Sequence, residues 1–320
     1  MSTQMESPGD EGDVPAVLSP DMLALLASMG LGAAPDETLQ RLPNGDPVRQ
    51  LAAIEELTAT QPGLACGVLA RDGVVRLDGC LSAQLCAACA ATVDMQLAVA
   101  RKAGLDGYGD GGQGFGNVDS PTHRWDMLVD AKPPFDDSLR YLLGDGPLHL
   151  LFDQLFGGLD APFHELACLV SDAGAESQRV HPDTVARGAA GCPLYTTVVA
   201  LTDVDPSMGC THFIRGSHTE EAHHRLRHGR DAFLSGAEYS RASLRCGDVV
   251  VMDSRVCHLG DANESRRRSL FYFTLMNPEF EDAPAGSKLA GLSLNLHQYA
   301  LPPAVAVAHR VDTCVIASRQ

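Results

Sequence analysis

Positive charge is scarce: 24 Lys and Arg stand against 41 Asp and Glu, a formal charge of −17. That balance disfavours nonspecific attraction to phosphate backbones or anionic lipid, so neither nucleic acid nor a membrane surface is an expected partner. Long charge-free apolar runs are missing as well. The stretch 188–202 lacks charge but carries Pro and Thr and falls short of the roughly 20 residues of a membrane span. No membrane helix is expected. The first fourteen residues hold Glu6, Asp10, Glu11 and Asp13 and no base, the reverse of a secretory or transit leader, so a cytoplasmic location is expected. Cysteine is sparse for a disulfide scaffold: ten in 320 residues, about 3%. Cys86 and Cys89 lack a second CxxC partner, and buried thiols on one helix face suit them better than a zinc or redox pair. The Gly-rich stretch 104–117 has no Lys-Ser/Thr after it, which excludes a phosphate-binding loop. It is either a lid over substrate or an insertion.

What remains is a globular chain, 45% hydrophobic and 20% charged, long enough for one large domain or two small ones. Residues 1–14 form an acidic tail with nothing to bury, expected to be disordered. Helical patterns over 20–29, 36–42 and 47–58 predict a helical N-terminal extension, 15–62, closed by Gln61-Pro62-Gly63. The main domain, 63–320, opens with strand-like GVVRL at 73–77 and a long helical pattern starting at Leu81-Ser82 and closing at Gly104. Further helical patterns lie over 137–143 and 148–156. Beyond Phe163 the texture changes to short β-rich runs: HELACLVSD, LYTTVVALTDV, THFIRGS, GDVVVMDS and RSLFYFTLMN. Without βαβ-length helices between them, these predict an antiparallel sandwich or barrel, mainly β with flanking helices (α+β).

The chemistry-bearing set is His181-Pro182-Asp183 with His258, which follows the run GDVVVMDS. Two imidazoles and one carboxylate on one face of a ferrous ion leave adjacent coordination positions open for a chelating cosubstrate and oxygen. In an extended segment, residues i and i+2 point the same way, so both side chains of the HPD triplet reach one ion. A lone HxD is weak evidence in a chain with 12 His; its company strengthens it. Arg267 and Ser269 open the last strand run and share a face by the same rule, a guanidinium and a hydroxyl suited to a carboxylate. The run Arg266-Arg267-Arg268 leaves Arg268 as the alternative anchor.

Together these segments resemble the phytanoyl-CoA dioxygenase-like branch of the Fe(II)/2-oxoglutarate-dependent oxygenases. The matching text spans roughly Leu77 to Pro278: RLDGCLS and a helix, HPD at 181–183, VVALTDVDPSMGCTHFIRGSH at 198–218, LRCGDVVVMDSRVCH at 244–258 and NESRRRSLFYF at 263–273. The resemblance implies a double-stranded β-helix (jelly-roll, cupin-like) core buttressed by N-terminal helices. It implies Fe(II) held by His181, Asp183 and His258, with 2-oxoglutarate anchored by Arg267, assisted by Ser269, and O2 as oxidant. Where the family has Pro in its Pro-Gly-Ser-His turn, this chain has Arg215, a change to a turn and not to the metal set. On the strand after HPD, Thr196 or Thr197 would contact the cosubstrate, and Thr197 is taken. The family's substrate-entrance segment falls on His123-Arg124-Trp125-Asp126. The implied reaction is hydroxylation of an aliphatic C–H in a small metabolite or acyl thioester, with release of succinate and CO2. Asp183 favours this over halogenation, because related halogenating enzymes have a small residue there. A zinc hydrolase with the same ligands and a non-catalytic metal-binding jelly-roll are the rivals; the hydrolase leaves Arg267 and Ser269 without a role. His218, His223, His224 and His228 are expected in a solvent-facing segment, and oligomeric state is not legible.

Overall fold

A computed structural model describes residues 40–41, 47–48, 51–53, 56–58, 62–104, 115, 118, 122–158, 160–186, 191–280 and 294–299. By its internal contacts the chain divides into Met1–Leu39, outside the described residues, and Gln40–Gln320. The expected acidic tail and the helix over 20–29 lie outside the described residues, as does nearly all of the Gly-rich stretch.

Period-two alternation builds the scaffold. The strand β13 (Arg268–Met276) is buried on both faces. Its odd residues Phe271, Phe273 and Leu275 pack into the largest apolar cluster, while Arg268, Leu270, Tyr272 and Thr274 line an interior cavity. It lies between β7 (Phe163–Ser171) and β8 (Leu194–Ala200) and is antiparallel to both. The seven-stranded sheet adds β11 (Val249–Asp253) and β5 (Val74–Asp78) on one side, β6 (Arg124–Leu128) on the other, and β4 (Glu56–Thr58) at an edge. A four-stranded sheet, ordered β12 (His258–Gly260), β9 (Thr211–Ile214), β10 (Tyr239–Ala242), β3 (Leu51–Ala53), supplies Thr211, Phe213, Ala242 and His258 to the opposite cavity wall. Two mostly antiparallel sheets enclosing a cavity make the jelly-roll expected from the sequence.

Helices cover the outer face of the larger sheet. The helix α2 (Ala83–Lys102) follows α1 (Pro62–Asp72) and starts where Ser82 Oγ accepts a hydrogen bond from the Leu85 amide at 3.3 Å, an N-cap. Its buried stripe is Cys86, Cys89, Val93 and Leu97, at helical spacing. Both cysteines are packed thiols; burial pushes Cys86 up to about 12. By length and composition α2 is apolar enough to cross a membrane, with mean hydropathy 1.4 over 18 residues, although Asp94 interrupts its apolar run. In the fold its stripe packs into the core. The next helices, α3 (Phe135–Arg140), running on into a π turn, and α4 (Pro147–Phe156), match the patterns read at 137–143 and 148–156.

The pattern over 47–58 does not become a helix. Its described residues are short strands, Pro47–Val48, Leu51–Ala53 and Glu56–Thr58. Two of them pair in parallel with β10 and β5, extending both sheets. Backbone pairing at open sheet edges outweighs local helical periodicity here. Gln40–Arg41, inside the helix expected over 36–42, is likewise a strand.

Candidate metal centre and cosubstrate pocket

His181 and His258 are joined by an isolated antiparallel bridge: each amide donates to the other's carbonyl at 2.9 Å. Their rings lie 4.7 Å apart by centroid. Asp183 is turned in by the loop that follows, where the amides of Asp183 and Thr184 both donate to the Ser254 carbonyl at 2.9 Å. Thr184 Oγ1 and Ser254 Oγ, 2.7 Å apart, tie that turn a second time. One ligand atom from each of His181, Asp183 and His258 lies within 4.8 Å of the others, and among the described residues this is the one such cluster. The HxD geometry argued from strand periodicity holds for placement, although Asp183 sits in a bend and not a strand.

The donor set fits a divalent ion such as ferrous iron. Nδ1 of His181 is 2.7 Å from the Arg179 carbonyl, and Nδ1 of His258 is 3.0 Å from the Val256 carbonyl. A carbonyl only accepts, so both Nδ1 atoms carry the proton and both Nε2 lone pairs are left for a ligand. His258 Nε2 lies 3.7 Å from Asp183 Oδ1. Burial lowers the His258 pKa, with His181 acting the same way and Asp183 opposing; the neutral ring is the ligating form.

These residues open onto a cavity of about 270 Å³ between the two sheets. Among the described lining residues the one arginine is Arg268. This corrects the expectation of Arg267: the alternation of β13 turns Arg268 inward and Arg267 outward. Arg267 is one-third exposed and holds Asp172 bidentately, at 2.6 and 2.8 Å, and Asp94 at 2.7 Å. Those hydrogen bonds hold the Asp172 carboxyl below the usual range. Ser269 shares the face of Phe271 and is absent from the cavity lining. Thr197 also faces away; its neighbour Thr196 lines the cavity, with Oγ1 3.0 Å from that of Thr274.

Arg268 is fully buried. Its Nη1 donates to the Gly209 carbonyl, while Nε and Nη2 have no hydrogen-bond partner. Burial first, then the neighbouring Arg124, pulls its pKa down to about 10, which leaves it cationic near neutral pH. A buried guanidinium with unpaired donors at a cavity wall is the counterpart of an anionic group. The cosubstrate expected from the sequence, 2-oxoglutarate, fits that demand with its distal carboxylate.

Of the segment 123–126, Asp126 lines the cavity, while Trp125 packs in the outer core with Arg101 over its ring at 4.7 Å. Tyr195 packs edge-on against Phe156, outside the cavity. His212 is buried on the outer face of β9, 3.7 Å from Asp261. His223 differs from the solvent-facing expectation: it is buried, its Nδ1 accepting from the Ala186 amide at 3.1 Å and its Nε2 donating to the Arg255 carbonyl at 2.7 Å. The sequence reading missed Glu165, Tyr272 and Thr274. The polar residues alternating through RSLFYFTLM, at 268, 272 and 274, carried the available signal.

Solved structures share this fold. The structure resembles SnoN, a non-heme α-ketoglutarate-dependent epimerase from nogalamycin biosynthesis (21% identity, TM-score 0.50, 68% of this chain and 81% of that one). It also resembles SnoK, a non-heme α-ketoglutarate-dependent carbocyclase of the same biosynthesis (18%, 0.51, 74% and 97%). A third likeness is to AviO1 from Streptomyces viridochromogenes Tue57 (20%, 0.51, 70% and 98%). At these identities the likeness establishes the fold. SnoN has also been solved with Fe3+, α-ketoglutarate and nogalamycin RO. A search of curated proteins returns no match. The phytanoyl-CoA dioxygenase model matches residues 69–269, a span running from α1 through the HxD triplet and His258 to the start of β13, and the chain therefore belongs to the phytanoyl-CoA dioxygenase (PhyH) family of iron- and 2-oxoglutarate-dependent oxygenases.

Proposed function

We propose that this chain is an Fe(II)- and 2-oxoglutarate-dependent dioxygenase that hydroxylates an aliphatic C–H of a small metabolite or acyl thioester. The observation that carries the reading is the convergence of His181, Asp183 and His258 on a cavity that also holds the partly unpaired, buried guanidinium of Arg268. Ferrous iron with 2-oxoglutarate and O2 would supply the oxidation, releasing succinate and CO2. His181, Asp183 and His258 would hold the metal, and Arg268 would meet the distal carboxylate of the cosubstrate. Leu169, Val198, Val250 and Leu270 add apolar side chains to the cavity wall. Hydroxylation is preferred to halogenation because Asp183 supplies a carboxylate at that ligand position.

The test is an anaerobic titration with Fe(II) and then 2-oxoglutarate, following the weak visible charge-transfer absorption of the chelate. A band that His181→Ala abolishes supports metal site and cosubstrate together, and succinate release across a metabolite panel then identifies substrates. Absence of the band with iron loading verified would refute the oxygenase reading and favour a zinc hydrolase or a non-catalytic metal-binding jelly-roll.

A further inference from the structure

His258 belongs to the smaller sheet. Across the cavity, on the larger sheet, β8 and β13 place Thr196 and Thr274 side by side in register, and both line the cavity. Their Oγ1 atoms are 3.0 Å apart, and the residues are 6% and 2% exposed. Two hydroxyls carry two protons and four lone pairs, and the bond between them uses one of each. One proton and three lone pairs are left, and among the described residues nothing else takes them. On a packed face a threonine pair serves the sheet alone. This one faces a cavity, and buried polar groups are as a rule satisfied, so a half-used pair there is shaped for something that enters.

What enters at that wall is not the cosubstrate. Thr274 lies six residues along β13 from Arg268 on the same face, about 20 Å at strand rise, beyond the reach of a five-carbon acid held at its distal end by the guanidinium. Thr196 lies instead on the side of Asp183. It pairs with Met252, and two residues before it the Leu194 carbonyl accepts from the amide of Ser254, whose own carbonyl accepts from the amide of Asp183. Leu194, Val198 and Met252 give the pair an apolar border. On its other border Glu165, opposite Thr274 in β7, and Asp126 both lie against the Tyr272 hydroxyl, at 3.1 and 2.7 Å, so the one phenolic proton is given within that group. The threonines thus offer a donor and acceptors at one point of an otherwise apolar border. An ammonium only donates and a carboxylate only accepts; an alcohol does both and uses the whole pair.

We propose that Thr196 and Thr274 bind a hydroxyl group of the substrate, so that the enzyme oxidises a small aliphatic alcohol. This rests on the oxygenase reading above and narrows its substrate class.

The anaerobic holoenzyme, loaded with Fe(II) and 2-oxoglutarate, is titrated with cyclohexanol and with methylcyclohexane, which has a methyl group in place of the hydroxyl. Binding is read from perturbation of the charge-transfer band and by calorimetry. The hydrocarbon is the more hydrophobic probe, so each probe is compared between proteins. Thr196→Val/Thr274→Val removes both hydroxyls together and leaves neither buried without its partner. Cyclohexanol is expected to bind this variant roughly tenfold more weakly than wild type, the yield of one or two neutral hydrogen bonds, while methylcyclohexane binds as well or better. Thr196→Ser/Thr274→Ser, which keeps both hydroxyls, is expected to keep most of the affinity for cyclohexanol. Where the double valine variant does not fold, Thr196→Val and Thr274→Val singly carry the test, each with a loss of about threefold or more for cyclohexanol alone. Equal changes for both probes, unchanged cyclohexanol binding in the variants, or no binding of cyclohexanol to the wild type would each overturn the proposal. Loss of the band in a folded valine variant would also overturn it, by placing the pair at the cosubstrate. Absence of the band in the wild type would instead sink the oxygenase reading, so the two failures are distinguishable.

Discussion

At the residue scale, neighbouring side chains on one strand have opposite fates, and paired substitutions separate them. Arg268→Ala is expected to raise the 2-oxoglutarate requirement roughly 30-fold or more, the cost of losing one partner of a buried charge pair. Arg268→Lys, a point charge without the fork, should recover only part of this. Arg267→Ala should leave the cosubstrate requirement unchanged, since Arg267 faces Asp172 and Asp94 outside the cavity. A raised requirement in Arg267→Ala with none in Arg268→Ala would reverse the assignment, read from succinate release against 2-oxoglutarate concentration. Arg267→Ala should instead act on stability. The Asp172 carboxyl is depressed in the folded protein, so its contribution is present above the unfolded value near 4 and lost as pH falls through the folded value. A stability difference between wild type and variant in urea unfolding, about 1 kcal/mol or less for so exposed a pair, is therefore expected at neutral pH; it should begin to narrow as pH falls below about 4 and close only below the depressed folded value. At the metal centre, His181→Ala or Asp183→Ala should abolish turnover, because two ligands leave the ion too weakly held.

At the element scale, short turns fix the reach of the site residues. Gly209 closes a 3-10 turn at φ +72°, and a Cβ there would clash with the backbone carbonyls of Asp261 and Ala262. Its own carbonyl accepts from Arg268. Gly209→Ala is expected to cost on the order of 1–3 kcal/mol and to raise the 2-oxoglutarate requirement as well, measured by thermal melting and by succinate release. A stability loss with unchanged cosubstrate requirement would show that this turn does not set the position of the guanidinium. The same scale shows what local pattern conveys. The long helix from Ser82 and the main strands were legible because cap chemistry and periodicity are properties of neighbours in sequence. The strands β6, β10 and β12 were not, and His258 lies on the last of them. The segment 47–58 took strand form because sheet edges far away in sequence offered partners.

For the whole molecule, the two faces of the larger sheet divide stability from function. Phe271 belongs to the outer core under the helices, and Leu270 lines the cavity. Phe271→Ala is expected to cost about 3–5 kcal/mol with the cofactor requirements unchanged. Leu270→Ala should fall at the low end of the roughly 2–5 kcal/mol range for such truncations, because its side chain borders an existing cavity, and should alter which substrates are accepted. Denaturant unfolding alongside a substrate panel separates these outcomes. The sequence by itself determined the family, the jelly-roll and the His181, Asp183 and His258 set, since residue chemistry in a fixed order with strand periodicity is written along the chain. Tertiary structure decided which of two adjacent arginines enters the cavity, that Thr196 and not Thr197 lines it, and that Asp126, Glu165 and Tyr272 meet. Those outcomes depend on strand register and on which face of each strand is turned inward. A one-residue shift in register inverts every such assignment without changing composition or pattern.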